Sequence, residues 1–505
     1  MEGTTALDTD VVVVGAGPAG LMLAAELRLG GARVIVTERL ARPTGQSRGL
    51  GFTARAMEVF DQRGLLPRFG ALETSPRGHF GGVQFDYTVL EGAHFGARGI
   101  PQSQTEAVLE DWARDLGADI RRGWEFVGAG GDFPHGDHLE ITVHTPEGVR
   151  QLRCAYLVGC DGGHSAVRRA AGFDFPGTDA TRLMYLADVA GCALRPRMLG
   201  ERRPNGMVMA APLGQGLDRI IVCPHGTPAR DRDQQQVTFA EVADAWQRIT
   251  GESIHAGTAP WVSSFTDATR QASQYRRGRV LLCGDAAHIH LPAGGQGLST
   301  GVQDAANLGW KLAATVAGTA PDGLLDTYHG ERHPVGARLL MNTRAQGAIF
   351  LGGPEADPLR ALLSELIEHD VVKRHLAGIV SGLDVHYDLG TDHPLAGHRL
   401  AHRELVGATG ESTSTTALLH PARGVLLDLA DDPALRRAAR PWHGRVHTAT
   451  AVPKPVDGPD PLAATGALLV RPDGHVAWAG ADPAALDRAL RTWFGPAPHD
   501  TGATR

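Results

Sequence analysis

The residues with the clearest chemical capacity stand in two glycine-rich turns placed far apart in the chain. Gly15-Ala16-Gly17-Pro18-Ala19-Gly20 follows the apolar run Val11–Val14 and opens an apolar segment reaching Gly30. A G-x-G-x-x-G turn between a strand and a helix brings backbone N–H groups up to a pyrophosphate. Its first glycine makes the turn, its second admits the phosphates, and its third lets helix pack on strand. An acid should close such a unit by accepting from a ribose hydroxyl, and Glu38 ends the next strand-like run, Arg33–Thr37. This unit alone serves NAD and FAD equally.

The second turn lies in "LCGDAAHIHLPAGGQGLSTG", residues 282–301. There a strand ends in Gly284-Asp285, and Gly294-Gly295-Gln296-Gly297-Leu298 opens another helix. One βαβ unit covers only the adenosine–pyrophosphate end of FAD; a second loop is needed for the ribityl chain and ring. Asp285 would accept from ribityl hydroxyls. The N–H groups of the glycine turn, at a helix N-terminus, would face the flavin N1–O2 edge, where negative charge gathers on reduction.

Other candidates carry less. His288 and His290 sit at i, i+2, but no further His, Cys, Asp or Glu pattern supports a metal site. His225 is a substrate-side base or a structural histidine, and Trp261 and Phe265 line an aromatic pocket or pack a core. The five cysteines form no C-x-x-C pair and their number is odd, so neither zinc nor a disulfide framework is expected, and a reducing cytoplasm suits them. The net charge of −7 gives no footprint for nucleic acid. The Val11–Ala25 stretch is too short and glycine-rich to span a membrane.

These sites need elements to hold them. The pattern predicts a mixed α/β protein with a Rossmann-like FAD-binding domain formed by residues 1–177 and, with a helical linker, 276–394. Residues 178–275 read as a substrate-binding β-sheet domain, and 395–505 as a thioredoxin-like domain with a strand–turn–strand at "GALLVRPDGHVAWAG" and a helix over Pro483–Phe494. No cysteine follows Cys283, so that last domain has no dithiol chemistry. Within the first domain a helix is expected around Gln104–Leu116 and strands near Ile120–Val127 and Leu139–Val143.

Three fingerprints then occur in order: the dinucleotide turn at Gly15–Gly20, Cys160-Asp161-Gly162-Gly163-His164-Ser165-Ala166-Val167-Arg168, and Gly284-Asp285-Ala286-Ala287-His288. With "RGLGFTARAMEVFDQRGL" and "PQSQTE", they make nearly the whole chain resemble a class A FAD-dependent aromatic hydroxylase, the para-hydroxybenzoate hydroxylase family. The wording is most similar to actinobacterial hydroxylases of angucycline-type polyketides. The resemblance implies that Glu38 and Arg39 hold the adenosine, Arg48 approaches the pyrophosphate, Gln104 reaches the ribityl–phosphate region, and Val127 meets adenine through its backbone. It implies that Asp161 and Gly162 support both FAD and a transient nicotinamide, and that Pro292, Gly295, Gln296, Leu298 and Ser299 line the flavin ring.

No second G-x-G-x-x-G occurs in a strand–helix setting, so NADPH or NADH would dock transiently. The activity implied is noncovalent FAD, NAD(P)H and O2 hydroxylating an aromatic polyketide through a flavin C4a-hydroperoxide, with no membrane or nucleic-acid partner, as a monomer or homodimer. A hydroxylase that inactivates an antibiotic, a flavin reductase or oxidase without oxygen transfer, and a flavin-binding protein without turnover are the competing readings.

Overall fold

Four consecutive valines, Val11–Val14, are β-branched and buried on both faces, which suits only the interior of a covered parallel sheet. They form β1 (Thr9–Val14), followed by α1 (Pro18–Leu29) and β2 (Val34–Glu38). The computed structural model describes residues 6–72, 75–90, 94, 96–130, 133–230, 237–391, 393–456 and 460–497.

β1 is the hub of an eight-stranded sheet. On one side it pairs in parallel with β2, which pairs in parallel with Asp119–Arg122. On the other it pairs in parallel with Gly148–Gly159, which pairs in parallel with Val280–Leu282. The expected single strand Ile120–Val127 is two, Asp119–Arg122 and Glu125–Gly130, because Gly123 turns the chain at φ +75°. The helix expected from Gln104 begins earlier, at Gln102, directly after Pro101 (α3, Gln102–Asp115), with α2 (Ala54–Asp61) before it.

The helix Gln296–Val316 is buried on nearly every face. Gly309 lets it lie against α1: a methyl there would sit 2.3 Å from Glu26 Cβ. Helices over Thr327–Phe350, Asp357–Ile367 and Asp370–Ser381 follow.

The middle of the chain forms a five-stranded antiparallel sheet, in the order Arg197–Arg203, Gly206–Gly214, Leu217–Pro224, Leu183–Ala190, Thr258–Thr266. One face packs on the helix Phe239–Thr250, which opens with a Thr238/Glu241 capping box. The strand Thr269–Gln271 does not join this sheet; it pairs with Gly177–Thr178 and His288–Ile289. The C-terminal sheet has six strands, among them parallel Gly424–Asp428 and Val446–Pro453 and the hairpin Ala467–Val470/Val476–Gly480, with helices Pro433–Ala439 and Pro483–Phe494.

Candidate cofactor and substrate site

Four neighbouring parallel strands end at one level: Val14 is paired with Thr37 and with Gly159, and Gly159 with Leu282. Just beyond those ends stand Gly15, Glu38, Asp161 and Asp285. Ligands of open α/β sheets bind at such a carboxyl edge. The turns are in contact there. A methyl on Gly15 would meet Cys160 O at 2.5 Å, and one on Gly284 would lie 3.2 Å from Ala19 Cβ.

Each glycine of the first turn has its own reason. Gly15 has φ +105° with the Cys160 carbonyl close behind it, and a methyl on Gly20 would be 2.0 Å from Gly15 O. A methyl on Gly17 would meet nothing within 4 Å, so this backbone faces open space at the uncapped N-terminus of α1. Gly17→Ala should therefore leave the fold intact and weaken binding of a phosphate-bearing cofactor, whereas Gly20→Ala should lower the melting temperature of the protein alone. Equal melting losses in both variants would refute this division. Pro18 supplies the fixed φ of a first helical position.

Glu38 is half-buried, and its carboxylate accepts from Ala16 N (3.0 Å) and Leu40 N (2.9 Å), which ties the acid to the glycine turn. Arg39 and Arg48 are exposed, with no ion pair among the described residues. Val127 falls at a bulge: the ladder pairs Phe126 with Val143 and Gly128 with Thr142, leaving Val127 unpaired. Trp124 N donates to Glu38 O (2.9 Å), which brings the start of this strand beside the acid.

Gln104 and Gln102 lie on different sides of α3. Residues two apart point to nearly opposite sides of a helix, and Gln104 donates to Phe69 O (3.2 Å) on the exposed side of α3. Gln102 faces the site: its Oε1 accepts from Gly49 N at 3.3 Å, and a methyl on Gly49 would sit 2.2 Å from Leu298 of the second turn. The repeated Gln in "PQSQTE" left the choice open to sequence reading.

Asp161 keeps one carboxylate oxygen, Oδ1, buried and without a hydrogen-bond partner among the described residues. Its Oδ2 accepts from Ala166 N (2.6 Å) and Val167 N (3.2 Å). The carboxylate holds the turn into the helix Ala166–Ala170, and burial pushes its pKa up. What faces open space is the backbone of Gly162, at φ +78° with nothing within 4 Å of an added methyl.

At the second turn, Gly294 and Gly295 are left-handed (φ +72° and +64°), and Gly295 caps the long helix with no side-chain partner and open space beside it. Pro292 is exposed, Leu298 half-buried, and Gly297 lies against His290, where a methyl would be 3.2 Å from Nε2. Gln296 and Ser299 differ from expectation. Gln296 Oε1 accepts from Asn342 Nδ2 (2.9 Å), and Ser299 Oγ accepts from Thr53 N (2.9 Å). Both side chains are buried and brace the turn from behind, so only their backbone is available to a ring.

Asp285 is exposed at the strand edge, with no hydrogen bond or ion pair among the described residues. The turn beneath it is held by residues the sequence did not single out. Asp304 Oδ2 accepts from Gly284 N (3.3 Å) and pairs with His288 Nε2 (2.8 Å), and Asp304 Oδ1 accepts from Arg332 Nε (2.6 Å). Burial raises the Asp304 pKa, but Arg332 and His288 outweigh it and hold it below the usual carboxylate range. His288 is thus an internal partner, and no group of three or more metal-ligating side chains exists among the described residues.

Open backbone at Gly17, Gly162 and Gly295, two uncapped helix N-termini and an unpartnered carboxylate fit FAD. Asp285→Ala should cost about 1–3 kcal/mol of FAD binding with little change in melting temperature; unchanged FAD affinity would remove Asp285 from the site.

The face of the middle sheet turned away from the helix Phe239–Thr250 is opposite, with Met184, Leu186, Met207, Cys223 and Arg219 buried on it. Cross-strand partners share a face, which gives three rows: Met207, Cys223, Met184, Phe265; Met209, Ile221, Leu186, Ser263; and Ala211, Arg219, Asp188, Trp261. The first row packs against Leu291 and Ala293 of the second turn. In the last, Arg219 is neutralised by Asp188 through Nε and Nη2 (3.0 Å to Oδ2), lies 4.7 Å from the Trp261 ring centroid, and donates Nη1 to Ser47 O at 2.5 Å. Arg202 is held by Asp357 and the Gly352 and Gly353 carbonyls, and Arg203 by Glu201. Burial pushes the Cys223 thiol up to about 12, so it is no base near neutrality. His225 lies outside these rows, with Nδ1 3.2 Å from Pro204 O.

Residues 8–343 match the model of an FAD binding domain family, and 393–497 that of "aromatic-ring hydroxylase, C-terminal". The chain is 44 % identical to a 12-dehydrotetracycline 5-monooxygenase/anhydrotetracycline 6-monooxygenase of Streptomyces rimosus, over 96 % of this chain and 99 % of that protein. It is 43 % identical to a rifampicin monooxygenase of Streptomyces venezuelae, over 97 % and 99 %. The solved structure of CabE, an aromatic hydroxylase from angucycline biosynthesis, superposes with a TM-score of 0.93 at 60 % identity, covering 97 % of this chain and all of that one.

Proposed function

The chain belongs to the FAD-dependent aromatic-ring hydroxylases, and from that membership we propose that it hydroxylates a polycyclic aromatic polyketide of the angucycline or tetracycline type in antibiotic biosynthesis, using NADPH and O2. When bound, FAD supplies the redox chemistry: acceptance of hydride from a nicotinamide and activation of O2. The protein binds, aims and shields. The N-terminus of α1 would receive the pyrophosphate at Gly17, with Arg48 as its counter-charge, while Glu38 and Arg39 would hold the adenosine. Asp285 would accept from the ribityl chain, and the backbone of Gly295–Ser299 would supply donors to the ring. The rows of the middle sheet would exclude water and present the substrate's aromatic edge.

The carrying observation is the meeting of two surfaces: four strand ends bearing Gly15, Glu38, Asp161 and Asp285, and an apolar sheet face whose arginines, Arg219 and Arg202, are neutralised by Asp188 and Asp357. The test begins with the purified protein, which should be yellow and should release FAD, not FMN, on denaturation. NADPH oxidation should then be stimulated by a multi-ring phenol, with one atom of labelled O2 recovered in the product. Stimulated oxidation without label would favour a reductase or oxidase, and no stimulation a binding protein. A second reading, action on a finished antibiotic, is favoured by the likeness to the rifampicin monooxygenase. Loss of antibacterial activity in the hydroxylated product would select it.

A further inference from the structure

A hairpin tip ordinarily lies in solvent. The tip joining Ala467–Val470 to Val476–Gly480 does not: Arg471, Asp473 and His475 are all buried. It is anchored on two helices, with Arg471 on Glu331 of Thr327–Phe350 (2.6 and 2.8 Å) and Asp473 Oδ2 accepting from Asn307 Nδ2 of Gln296–Val316 at 3.0 Å.

A second path leads from this tip to the cofactor turn. The His475 ring lies 4.3 Å from that of Tyr387, centroid to centroid. Tyr387 Oη accepts from Arg332 Nη1 (3.1 Å), and Arg332 Nε donates to Asp304 Oδ1 (2.6 Å). The other oxygen of Asp304 accepts the N–H of Gly284, the residue before Asp285, which holds a left-handed φ of +63°. Arg332 is thus fixed from two sides, and the carboxylate that holds Gly284 takes its orientation from it. Every member of the path is buried, so water cannot replace a lost link.

We propose that the C-terminal domain, through His475, Tyr387, Arg332 and Asp304, is the positioning element for the Gly284–Asp285 turn, so that a domain without cysteine acts on the cofactor site. Tyr387 is a positioning residue, since it reaches the site only through Arg332. The inference rests on the assignment of that turn to FAD.

The test uses the full-length holoenzyme carrying Tyr387→Phe, Asp285→Asn, or both, with FAD dissociation constants and flavin midpoint potentials measured. Tyr387→Phe should weaken FAD binding three- to tenfold and shift the potential. The double variant should lose less than the product of the single losses, because both changes act on one turn. Unchanged affinity and potential in Tyr387→Phe, or strictly multiplicative losses, would overturn the inference even if the melting temperature fell. Should Tyr387→Phe not fold, His475→Leu is held to the same criteria. Wild-type protein that does not bind FAD, or Asp285→Asn without effect, would sink the functional reading instead.

Discussion

Deletion of residues 395–505 is expected to give a chain that does not fold. The reason is the seam it opens. Arg63, paired with Glu26 at 2.6 Å, also donates to Leu419 O and Pro472 O; Arg55 donates to Asp473 O; Arg399 pairs with Glu58. Glu331 is shared by Arg471 and Lys311 (2.8 Å). Trp310 and Leu324 belong to the same apolar cluster as Leu426, Trp442 and Trp493. Removing one partner of a buried pair costs about 3–5 kcal/mol, and several would go together, against a total stability of about 5–15 kcal/mol. Insoluble or unfolded protein is the expected result; a soluble truncation melting cooperatively near the full-length temperature would refute it. Acid should loosen the same seam. Burial raises the pKa of Glu331, but Arg471 and Lys311 outweigh it and hold it at about 2, against 4.5 ordinarily. A lowered carboxylate pKa stabilises above the ordinary value, so this contribution should fade as pH falls from about 4.5 towards 2. Thermal melts across that window check it.

What could be read from sequence was whatever repeats a backbone rule. The glycines of the first turn, the valine run of β1, the hairpin before Pro483 and the Gly284–Asp285 turn each follow from local geometry. Side-chain direction was harder. Gln102 and Gln104 are chemically the same, and only the helical phase sends one inward. Asp161 and Asp285 both follow a strand and precede a helix, yet Asp161 is buried and gives one oxygen to the helix, while Asp285 is exposed. Gln296 and Ser299 sit in the right turn, but their partners Asn342 and Thr53 come from distant segments. The polar support of the site was least legible, because Asp304 meets Arg332, and Glu331 meets Arg471, only after three segments pack. A signal existed in Asp304 and Lys311 within the otherwise small and apolar "GVQDAANLGWKLAAT": a charge in such a helix needs a buried partner.

Multi-ring phenols or quinones should be hydroxylated with tight coupling, whereas para-hydroxybenzoate should give slow or uncoupled NADPH oxidation. A benzoate needs a cation for its carboxylate, best met in bidentate geometry by arginine. The sheet face opposite the cofactor turns offers two arginines, Arg219 and the cross-strand partner of Met207, Arg202; the fork of Arg219 is already filled by Asp188 and the Ser47 carbonyl. Arg202 and Arg203 are likewise committed. Taking Arg219 for a substrate carboxylate would leave Asp188 unpaired beside Trp261, a loss of several kcal/mol for a buried charge. The remaining surface, Met209, Ile221 and Phe265, gains by covering flat apolar area at about 25 cal/mol per Å², and a fused ring system supplies far more of it than one ring. Water is displaced by the same contact, which is what coupling requires. The measurement is moles of hydroxylated product and of hydrogen peroxide per mole of NADPH for each substrate. Efficient, coupled hydroxylation of para-hydroxybenzoate would show that a cation is available on this face after all, and the neutral polycyclic assignment would fall.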